Sequence, residues 1–293
     1  MENPIQRAAN MSLKVTCSLG KTFGAEVSGI RIGPHAGHDD VQAVKALWAE
    51  HKLLLFRSQE VSEADLVGFS RHLGELEIHV RTEYLSPEHP EILYVSNMRS
   101  GDRNIGILAD SEVGWHYDQI YLAQPATGSL LCADVLPERG GDTYFADMNA
   151  AFVTLPQEVR QRLEGRKAVQ SYEAFNRTYS VPTSEEQKKR SPDIEHPMVR
   201  THPVTGEPAL YICPGMTTRI VGMELSESEA MLDYLFEWSV RPEFVYRHQW
   251  QPGDCLLWDN ACTMHRREPF DPAQKRLMKR TTILPPTELA RPF

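Results

Sequence analysis

The sequence has no long apolar run and few cysteines. No stretch approaches the roughly 18 apolar residues of a membrane span, and the N-terminus lacks the apolar segment of a secretory signal. The five cysteines are odd in number and include no Cys-x-x-Cys pair: Cys17, Cys132, Cys213, Cys255 and Cys262. Together these absences predict a cytoplasmic protein, away from membranes, with buried free thiols in a reducing compartment.

Positive charge is also scarce. The chain has 31 Lys and Arg against 40 Asp and Glu, a formal net charge of −9 at pH 7. A nucleic-acid partner would require a basic surface, so we expect none. A small anionic substrate remains compatible with this balance, provided that the pocket is locally basic. At 41% hydrophobic and 24% charged residues, the composition is that of a globular protein with a sizeable core.

Signatures of nucleophilic and phosphate chemistry are missing as well. Gly140-Gly141 is not followed by the Lys-Ser/Thr of a phosphate-binding loop. No serine or cysteine lies in a recognisable nucleophile elbow. Any catalysis therefore has to come from a bound metal or cofactor, which the protein positions.

Short strand-like segments outnumber helices. Four helices are predicted, at Asp39–Glu50, from Ser62 to Leu73 with a Ser62-x-x-Asp65 capping box, from Asp147 to Leu163 with a break at Pro156, and at Glu227–Val240 with a Ser226-x-x-Glu229 capping box. The apolar stripe of the last helix would consist of Ala230, Met231, Tyr234, Leu235 and Trp238. Apolar runs such as Leu53–Phe56 and Cys255–Trp258 read as buried strands. The pattern predicts a mainly β protein with flanking helices, built on a jelly-roll core (a double-stranded β-helix). We expect one domain over 12–286, tails at 1–11 and 287–293, and a mobile loop around 172–196.

A candidate metal site stands in mid-chain. His116 and Asp118 are two residues apart, so on a β-strand both would point to the same face. His265, 147 residues after Asp118, supplies a second imidazole. Two histidines and one carboxylate form the facial triad that holds non-haem Fe(II) and leaves positions open for O2 and a cosubstrate.

Two arginines follow His265 in a segment that reads as a strand, Lys275–Leu284. Period two places Arg276, Met278 and Arg280 on one face. Inward-facing arginines need anions, because an unpaired buried charge is very costly. Their α-carbons would lie about 13 Å apart, so each would meet a different anion. The alternative is that one or both form surface ion pairs.

These residues resemble a known family in both type and order. The family is that of the Fe(II)/2-oxoglutarate dioxygenases of the taurine and 2,4-dichlorophenoxyacetate (TauD/TfdA) type, and the similarity runs from about Gly24 to Leu284. The motifs that carry the resemblance are His116-x-Asp118, Gly140-Gly141-Asp142-Thr143, Thr217–Val221, Trp258-Asp259-Asn260, His265 and Arg276-x-x-x-Arg280.

The resemblance implies roles for individual residues. Iron would be bound by His116, Asp118 and His265, and 2-oxoglutarate by Arg276 and Thr143, which leaves Arg280 for the acidic group of the primary substrate. His79, Asn97, Tyr172 and Met216 would line the substrate pocket, although core packing explains Tyr172 and Met216 equally well. Tyr117 departs from the small polar residue usual in the family, and we expect it to point away from the metal.

The implied reaction consumes O2 and 2-oxoglutarate, hydroxylates a small organic acid and releases succinate and CO2. Some motifs resemble the taurine enzyme and others the herbicide enzyme, so sulfonate and carboxylate substrates both remain open. The family also suggests a dimer or tetramer. Two alternatives remain: a zinc-dependent hydrolase with the same three ligands, and a jelly-roll binding protein without chemistry.

Overall fold

A computed structural model describes residues 13–107, 112–176, 191–286 and 292. The predicted N-terminal tail, positions 177–190 of the predicted loop, and the predicted C-terminal tail except position 292 lie outside these residues. The expected domain boundaries therefore stay a prediction. Within the described ranges, no helix is both long and apolar enough to cross a membrane.

Strands dominate the architecture. The described strands are β1 (Lys14–Ser18), β2 (Ala25–Ser28), β3 (Leu53–Phe56), β4 (Leu93–Ser96), β5 (Arg99–Ser100), β6 (Arg103–Asn104), β7 (Val113–His116), β8 (Gly128–Val135), β9 (Thr143–Asp147), β10 (Lys167–Gln170), β11 (Ile194–Pro197), β12 (Val199–Thr201), β13 (Pro208–Leu210), β14 (Thr217–Ile220), β15 (Val245–His248), β16 (Cys255–Asp259), β17 (Thr263–Arg267) and β18 (Leu277–Ile283).

Two of the sheets form the jelly roll. The larger has seven strands in the order β1-β2-β3-β16-β8-β18-β4, and the smaller has four in the order β15-β9-β17-β7. Neighbouring strands in both sheets are antiparallel, except that β2 and β3 are parallel. Non-consecutive neighbours such as β16 and β3 show that the chain crosses between the sheets, as a jelly roll requires. The predicted fold class is confirmed.

Burial on both faces explains why β3 and the first four residues of β16 are apolar. Leu54 and Phe56 pack with the helices on the outer face of the seven-stranded sheet. Leu53 and Leu55 point between the two sheets, into a cluster that also contains Phe145 of β9. Because side chains alternate along a strand, a strand covered on both sides needs apolar residues at every position.

The helices lie outside the sheets. The described helices are α1 (His38–His51), α2 (Glu63–Leu73), α3 (Met148–Val153), α4 (Gln157–Leu163), α5 (Tyr172–Asn176), α6 (Leu225–Ser239) and a 3₁₀ turn at Thr82–Tyr84. The predicted capping box of α2 is confirmed, since the Ser62 hydroxyl accepts from the Asp65 N–H and Asp65 accepts from the Ser62 N–H. The predicted break at Pro156 separates α3 from α4.

The prediction for α6 was wrong in two respects. The helix begins at Leu225 after Glu224, and no side chain caps it, so Ser226 and Glu229 form no capping box. Its buried face contains Ser228 and Leu232, whereas Tyr234 of the predicted stripe is exposed. The Ser228 hydroxyl accepts a hydrogen bond from the Ile220 N–H at 2.7 Å, which ties that face to β14.

The prediction of five free thiols also needs correction. Cys132 and Cys255 face each other across the paired strands β8 and β16 and form a disulfide. Nothing in the sequence indicated this pairing, because the two cysteines are 123 residues apart and meet only through the sheet register. Cys17, Cys213 and Cys262 are free.

Candidate active site

The predicted metal ligands meet at the edge of the four-stranded sheet. His116 ends β7 and is paired directly with His265 on β17. Asp118 lies beyond the end of β7, in a turn, so the expectation that His116 and Asp118 share one strand was wrong. Asn260 holds this turn instead: its Oδ1 accepts from the Asp118 N–H at 2.8 Å, and its Nδ2 donates to the Asp118 carbonyl at 2.7 Å.

The three side chains have a geometry that fits one ion. Asp118 Oδ1 lies 3.9 Å from His116 Nε2 and 4.0 Å from His265 Nε2. Two ligands that each stand about 2.0–2.2 Å from one ion cannot be more than roughly 4.4 Å apart, and both distances satisfy that limit. Two imidazoles and a carboxylate are also the donor set that non-haem Fe(II) uses.

Both histidines are prepared to act as neutral ligands. Burial lowers the pKa of His116, and burial followed by repulsion from His116 lowers the pKa of His265. His116 Nδ1 donates to the Gly114 carbonyl at 2.8 Å, which places its lone pair on Nε2. The His265 ring packs against Trp258 at a centroid distance of 4.8 Å. Orientation thus comes from a hydrogen bond for one ring and from aromatic packing for the other.

Asp118 is ionised despite its burial. Desolvation alone would raise its pKa, but Arg280 and the two histidines lower it below the usual range. Arg280 Nη1 donates to Asp118 Oδ1 at 3.1 Å, and the Ser129 hydroxyl donates to Oδ2 at 3.0 Å. The structure therefore places Arg280 beside the triad, as expected for a residue of the same pocket.

Arg276 is the most deeply buried charge near the triad. Only 1% of its surface is exposed, and burial, with added repulsion from Arg267, lowers its pKa to about 9. Within the described ranges its Nε and Nη1 have no hydrogen-bond partner. Its Nη2 donates to the Gly141 carbonyl at 3.4 Å, and a Cβ at Gly141 would lie 3.2 Å from the guanidinium Nε. The Arg276 guanidinium, which packs against Gly141, needs an anion, because an unpaired buried charge is costly.

Thr143 and Asn97 make different contacts, and that of Asn97 is with Arg276 itself. Thr143 begins β9 opposite Arg267 and accepts a hydrogen bond from Trp250 Nε1 at 3.0 Å. Asn97 binds the backbone: its Oδ1 accepts from the Arg276 N–H at 2.9 Å, and its Nδ2 donates to the Gln274 carbonyl at 2.7 Å. The predicted strand Lys275–Leu284 began too early: β18 begins at Leu277, so Arg276 lies just before the strand.

The remaining predicted pocket residues divide into two groups. His79 and Tyr172 lie on the Arg280 side: Arg280 contributes to the low pKa of His79, and Tyr172 packs on Tyr121 at 4.7 Å. Burial, followed by repulsion from Arg280, lowers the pKa of His79 to about 4. Met216 is buried in the cluster behind the four-stranded sheet. Tyr117 also points into that cluster, where its hydroxyl donates to the Leu210 carbonyl at 2.6 Å.

Sequence reasoning missed two residues of the pocket, Glu77 and Gln119. Gln119 follows Asp118 in a left-handed conformation, with φ of 58°. Its Nε2 donates to Glu77 Oε1. Burial raises the pKa of Glu77, although attraction to Arg280 opposes that rise. Asn260 belongs to the motif Trp258-Asp259-Asn260, but the sequence predicted no role for it. No sequence pattern indicated that Glu77 and Gln119 would meet.

A second group, His202, Asp259 and Cys262, is also close enough to surround an ion. His202 Nε2 lies 2.8 Å from Asp259 Oδ2, and its Nδ1 accepts from the Val204 and Thr205 N–H groups. Both ring nitrogens are therefore engaged, and burial raises the pKa of the Cys262 thiol well above its normal value. These contacts describe a structural hydrogen-bond network that ties β16 to the loop after β12, rather than a metal site.

Comparison with known proteins identifies the family. The model of the "Taurine catabolism dioxygenase TauD, TfdA family" matches residues 16–282. The chain is 32% identical to the (S)-phenoxypropionate/alpha-ketoglutarate-dioxygenase of Sphingobium herbicidovorans, covering 90% of this chain and 93% of that protein. It is also 32% identical to the alpha-ketoglutarate-dependent 2,4-dichlorophenoxyacetate dioxygenase of Cupriavidus pinatubonensis, covering 89% of this chain and 94% of that protein.

A solved structure agrees with these relatives. AAD-2 in complex with Mn(II) and N-oxalylglycine superposes with a TM-score of 0.80 at 28% identity, over 94% of this chain and 98% of that one. The fold is thus shared over nearly the whole length. The chain belongs to the TauD, TfdA family of dioxygenases.

Proposed function

We propose that this protein is an Fe(II)- and 2-oxoglutarate-dependent dioxygenase that hydroxylates a small organic acid. The observation that carries the proposal is the buried Arg276, whose Nε and Nη1 have no partner in the described structure, in the same fold as a three-ligand metal site. An anionic cosubstrate would satisfy the guanidinium, and the triad would hold the metal. The dioxygenase relatives support this reading over a zinc hydrolase or a non-catalytic binding protein.

Each group has a defined task in this scheme. His116, Asp118 and His265 would hold Fe(II), which supplies the site for O2 activation once 2-oxoglutarate is bound. Arg276 and the Thr143 hydroxyl would bind the cosubstrate carboxylate that is remote from the metal. The buried guanidinium gives a charge-assisted pair in a dry site, where such pairs are strongest. Asn97 would act by fixing the backbone of Arg276.

The Arg280 side of the pocket would bind the primary substrate. Arg280 Nε has no hydrogen-bond partner in the described parts of the chain and can donate to a carboxylate or sulfonate. His79 Nδ1 accepts from the Arg81 N–H at 3.1 Å, so the neutral ring carries its proton on Nε2. His79 is therefore a second donor for the same anion. Tyr172 would form an aromatic wall together with Tyr121. Met216 would also line the pocket, in addition to its packing in the apolar cluster.

A carboxylate such as an aryloxyalkanoate is our first choice of substrate, because both named relatives act on acids of that class. The test is succinate release from 2-oxoglutarate under air, with Fe(II), across matched aryloxyalkanoates and alkanesulfonates. We expect succinate release to rise several-fold with at least one acid, and to require both Fe(II) and 2-oxoglutarate. Zn(II)-dependent hydrolysis without succinate would contradict the proposal.

A further inference from the structure

Two oxygen atoms in the pocket are buried and lack donors. They are Glu77 Oε2 and Gln119 Oε1, and neither has a hydrogen-bond partner among the residues that the structure describes. The two side chains are already joined to each other, because Gln119 Nε2 donates to Glu77 Oε1. This bond also orients the Gln119 amide: with the amide reversed, two oxygens would face each other. Both remaining atoms are therefore acceptors.

The Glu77–Gln119 pair lies beside the substrate anchor. The Glu77 N–H donates to the Thr282 carbonyl at 3.0 Å, two residues beyond Arg280 on β18. Gln119 is adjacent to Asp118, whose Oδ1 accepts from Arg280. The Glu77 carboxyl is attracted to Arg280 and repelled by Asp118, so it lies close enough to both groups to interact with them. The pair thus borders the predicted place of the substrate's acid group.

One guanidinium, that of Arg280, interacts with two carboxylates, those of Asp118 and Glu77, before a substrate enters. Asp118 is committed to the metal once one is bound, which leaves Arg280 facing Glu77 alone. A purely anionic substrate would satisfy Arg280 but would bring nothing for Glu77 Oε2 or Gln119 Oε1. Buried acceptors without donors are unfavourable, and a ligand that supplies a donor removes that cost.

We propose that Glu77 and Gln119 form an acceptor subsite for an N–H or O–H donor carried by the substrate close to its acid group. The inference rests on the proposed function and deepens it. The substrate would be an amino, amido or hydroxy acid: its anion lies on Arg280, and its donor lies between Glu77 Oε2 and Gln119 Oε1. The two residues determine specificity and take no part in the oxidation.

The test uses pairs of acids in which a methyl group replaces the donor. We would compare 2-aminoethanesulfonate with propane-1-sulfonate, and 3-hydroxypropanoate with butanoate. Dissociation constants are measured by calorimetry on the anaerobic protein loaded with Fe(II) and 2-oxoglutarate, and succinate release is measured under air. We expect the wild type to favour the donor-bearing member of at least one pair by about tenfold or more, the value of one hydrogen bond to a charged group. The amine and hydroxyl pairs distinguish an N–H from an O–H donor.

The variant Glu77→Gln decides the assignment. Its new Oε1 can still accept from Gln119, while an NH2 group replaces the acceptor Oε2, so the preference should fall to parity or reverse. Glu75→Gln is the matched control, because Glu75 is an exposed carboxylate two residues away and should keep the wild-type ratio. Gln119→Leu removes the other acceptor and should lower the ratio independently if Glu77→Gln folds poorly.

Two results would overturn the proposal. Equal affinities within every pair for the wild type would show that no donor is recognised. A Glu77→Gln variant that strengthens all acids equally would show that Glu77 only offsets the charge of Arg280. In both cases the proposed function would stand, since acids would still bind and release succinate. Failure of every acid to bind or react would overturn the proposed function together with the subsite.

Discussion

Arg276 and Arg280 are four residues apart, and their guanidinium groups have different surroundings. Arg276 is buried beside Gly141 with no carboxylate in hydrogen-bond contact among the described residues. Arg280 already donates to Asp118 and is attracted to Glu77. Two arginines can therefore bind different anions, because their neighbouring residues differ.

The metal ligands give the simplest prediction at the residue scale. His116→Ala, Asp118→Asn and His265→Ala should each abolish Fe(II)-dependent succinate release while the fold survives, because three ligands leave no redundancy. Activity and bound iron would be measured on each purified variant, with circular dichroism as the check on folding. His35→Ala is the control, since His35 is exposed and distant in sequence from the triad. Full activity in any one of the three variants would remove that residue from the metal site.

Arg276 should govern affinity for the cosubstrate. Loss of one partner of a buried, hydrogen-bonded charge pair costs about 2–5 kcal/mol, so Arg276→Ala should raise the KM for 2-oxoglutarate at least ~30-fold. Thr143→Val removes one hydrogen bond, worth about 0.5–1.5 kcal/mol, and should raise that KM roughly two- to tenfold. Initial rates at varied 2-oxoglutarate measure both effects, with the exposed Arg31→Ala as the matched control. An unchanged KM in Arg276→Ala would refute the cosubstrate assignment.

Arg280 should act on the other substrate. Arg280→Ala should impair oxidation of the acid substrate yet spare 2-oxoglutarate binding and its slow uncoupled conversion to succinate. Arg280→Lys should recover only part of the loss, since an ammonium cannot reproduce the planar fork of a guanidinium. Succinate release with and without the acid separates the coupled and uncoupled reactions. If Arg280→Ala weakens 2-oxoglutarate binding as much as Arg276→Ala does, the substrate role is wrong.

At the scale of elements, one helix is tied to the sheet by a carboxylate. Glu63 begins α2 and accepts hydrogen bonds from the Ser86 hydroxyl and the Tyr94 hydroxyl, both at 2.6 Å. Lys279 of β18 lies 3.9 Å from its Oε1. Burial would raise the pKa of Glu63, but these donors and Lys279 lower it below the ordinary value of 4.5 for a glutamate.

This arrangement predicts a pH-dependent stability. Because the pKa of Glu63 is lower in the folded than in the unfolded protein, its ionised carboxylate stabilises the fold. This stabilisation is complete above about pH 4.5 and is lost as the pH falls through the lowered pKa. Glu63→Gln should therefore destabilise the protein by about 1–3 kcal/mol at pH 7, and by less as pH drops below 4.5. Urea unfolding across this range measures the difference, with the exposed Glu60→Gln as control. A difference that does not change with pH would exclude an ionised Glu63 as the cause.

At the scale of the whole molecule, the site joins separate parts of the barrel. His116 and His265 come from β7 and β17 of the four-stranded sheet, whereas Arg276 precedes β18 of the seven-stranded sheet. A ligand that contacts both the metal and Arg276 connects the two sheets. Ligands that bind only the folded state stabilise it by mass action. The stabilisation is about 2.7 kcal/mol when the free ligand concentration is one hundred times Kd.

Metal and cosubstrate together should therefore raise Tm more than the sum of their separate effects. Differential scanning fluorimetry with Mn(II), with 2-oxoglutarate and with both would measure this, because Mn(II) resists oxidation in air better than Fe(II) does. Asp118→Asn should lose the metal-dependent part, and Arg276→Ala should lose the part that depends on 2-oxoglutarate. A wild-type Tm unmoved by the pair would contradict the assembled site.

The sequence by itself determined the elements whose signals are local. The apolar run of β3, the capping box of α2 and the break at Pro156 depend on neighbouring residues, so they could be read without the fold. The candidate metal ligands could also be predicted from local sequence, because few residue types bind iron, and the structure brings the three candidates together.

Only the tertiary structure decided how distant residues meet. Asn260 holds Asp118 in a turn that no strand pattern predicts, and Cys132 meets Cys255 through the register of β8 and β16. Ser228 lies on the buried face of α6, where its hydroxyl accepts from the backbone of β14, a contact that the apolar stripe did not indicate. Gln119 donates to Glu77 across 42 residues of sequence. Each of these contacts joins chain segments that become neighbours only when the barrel closes. A sequence pattern identifies such segments but does not give the distance between them in space.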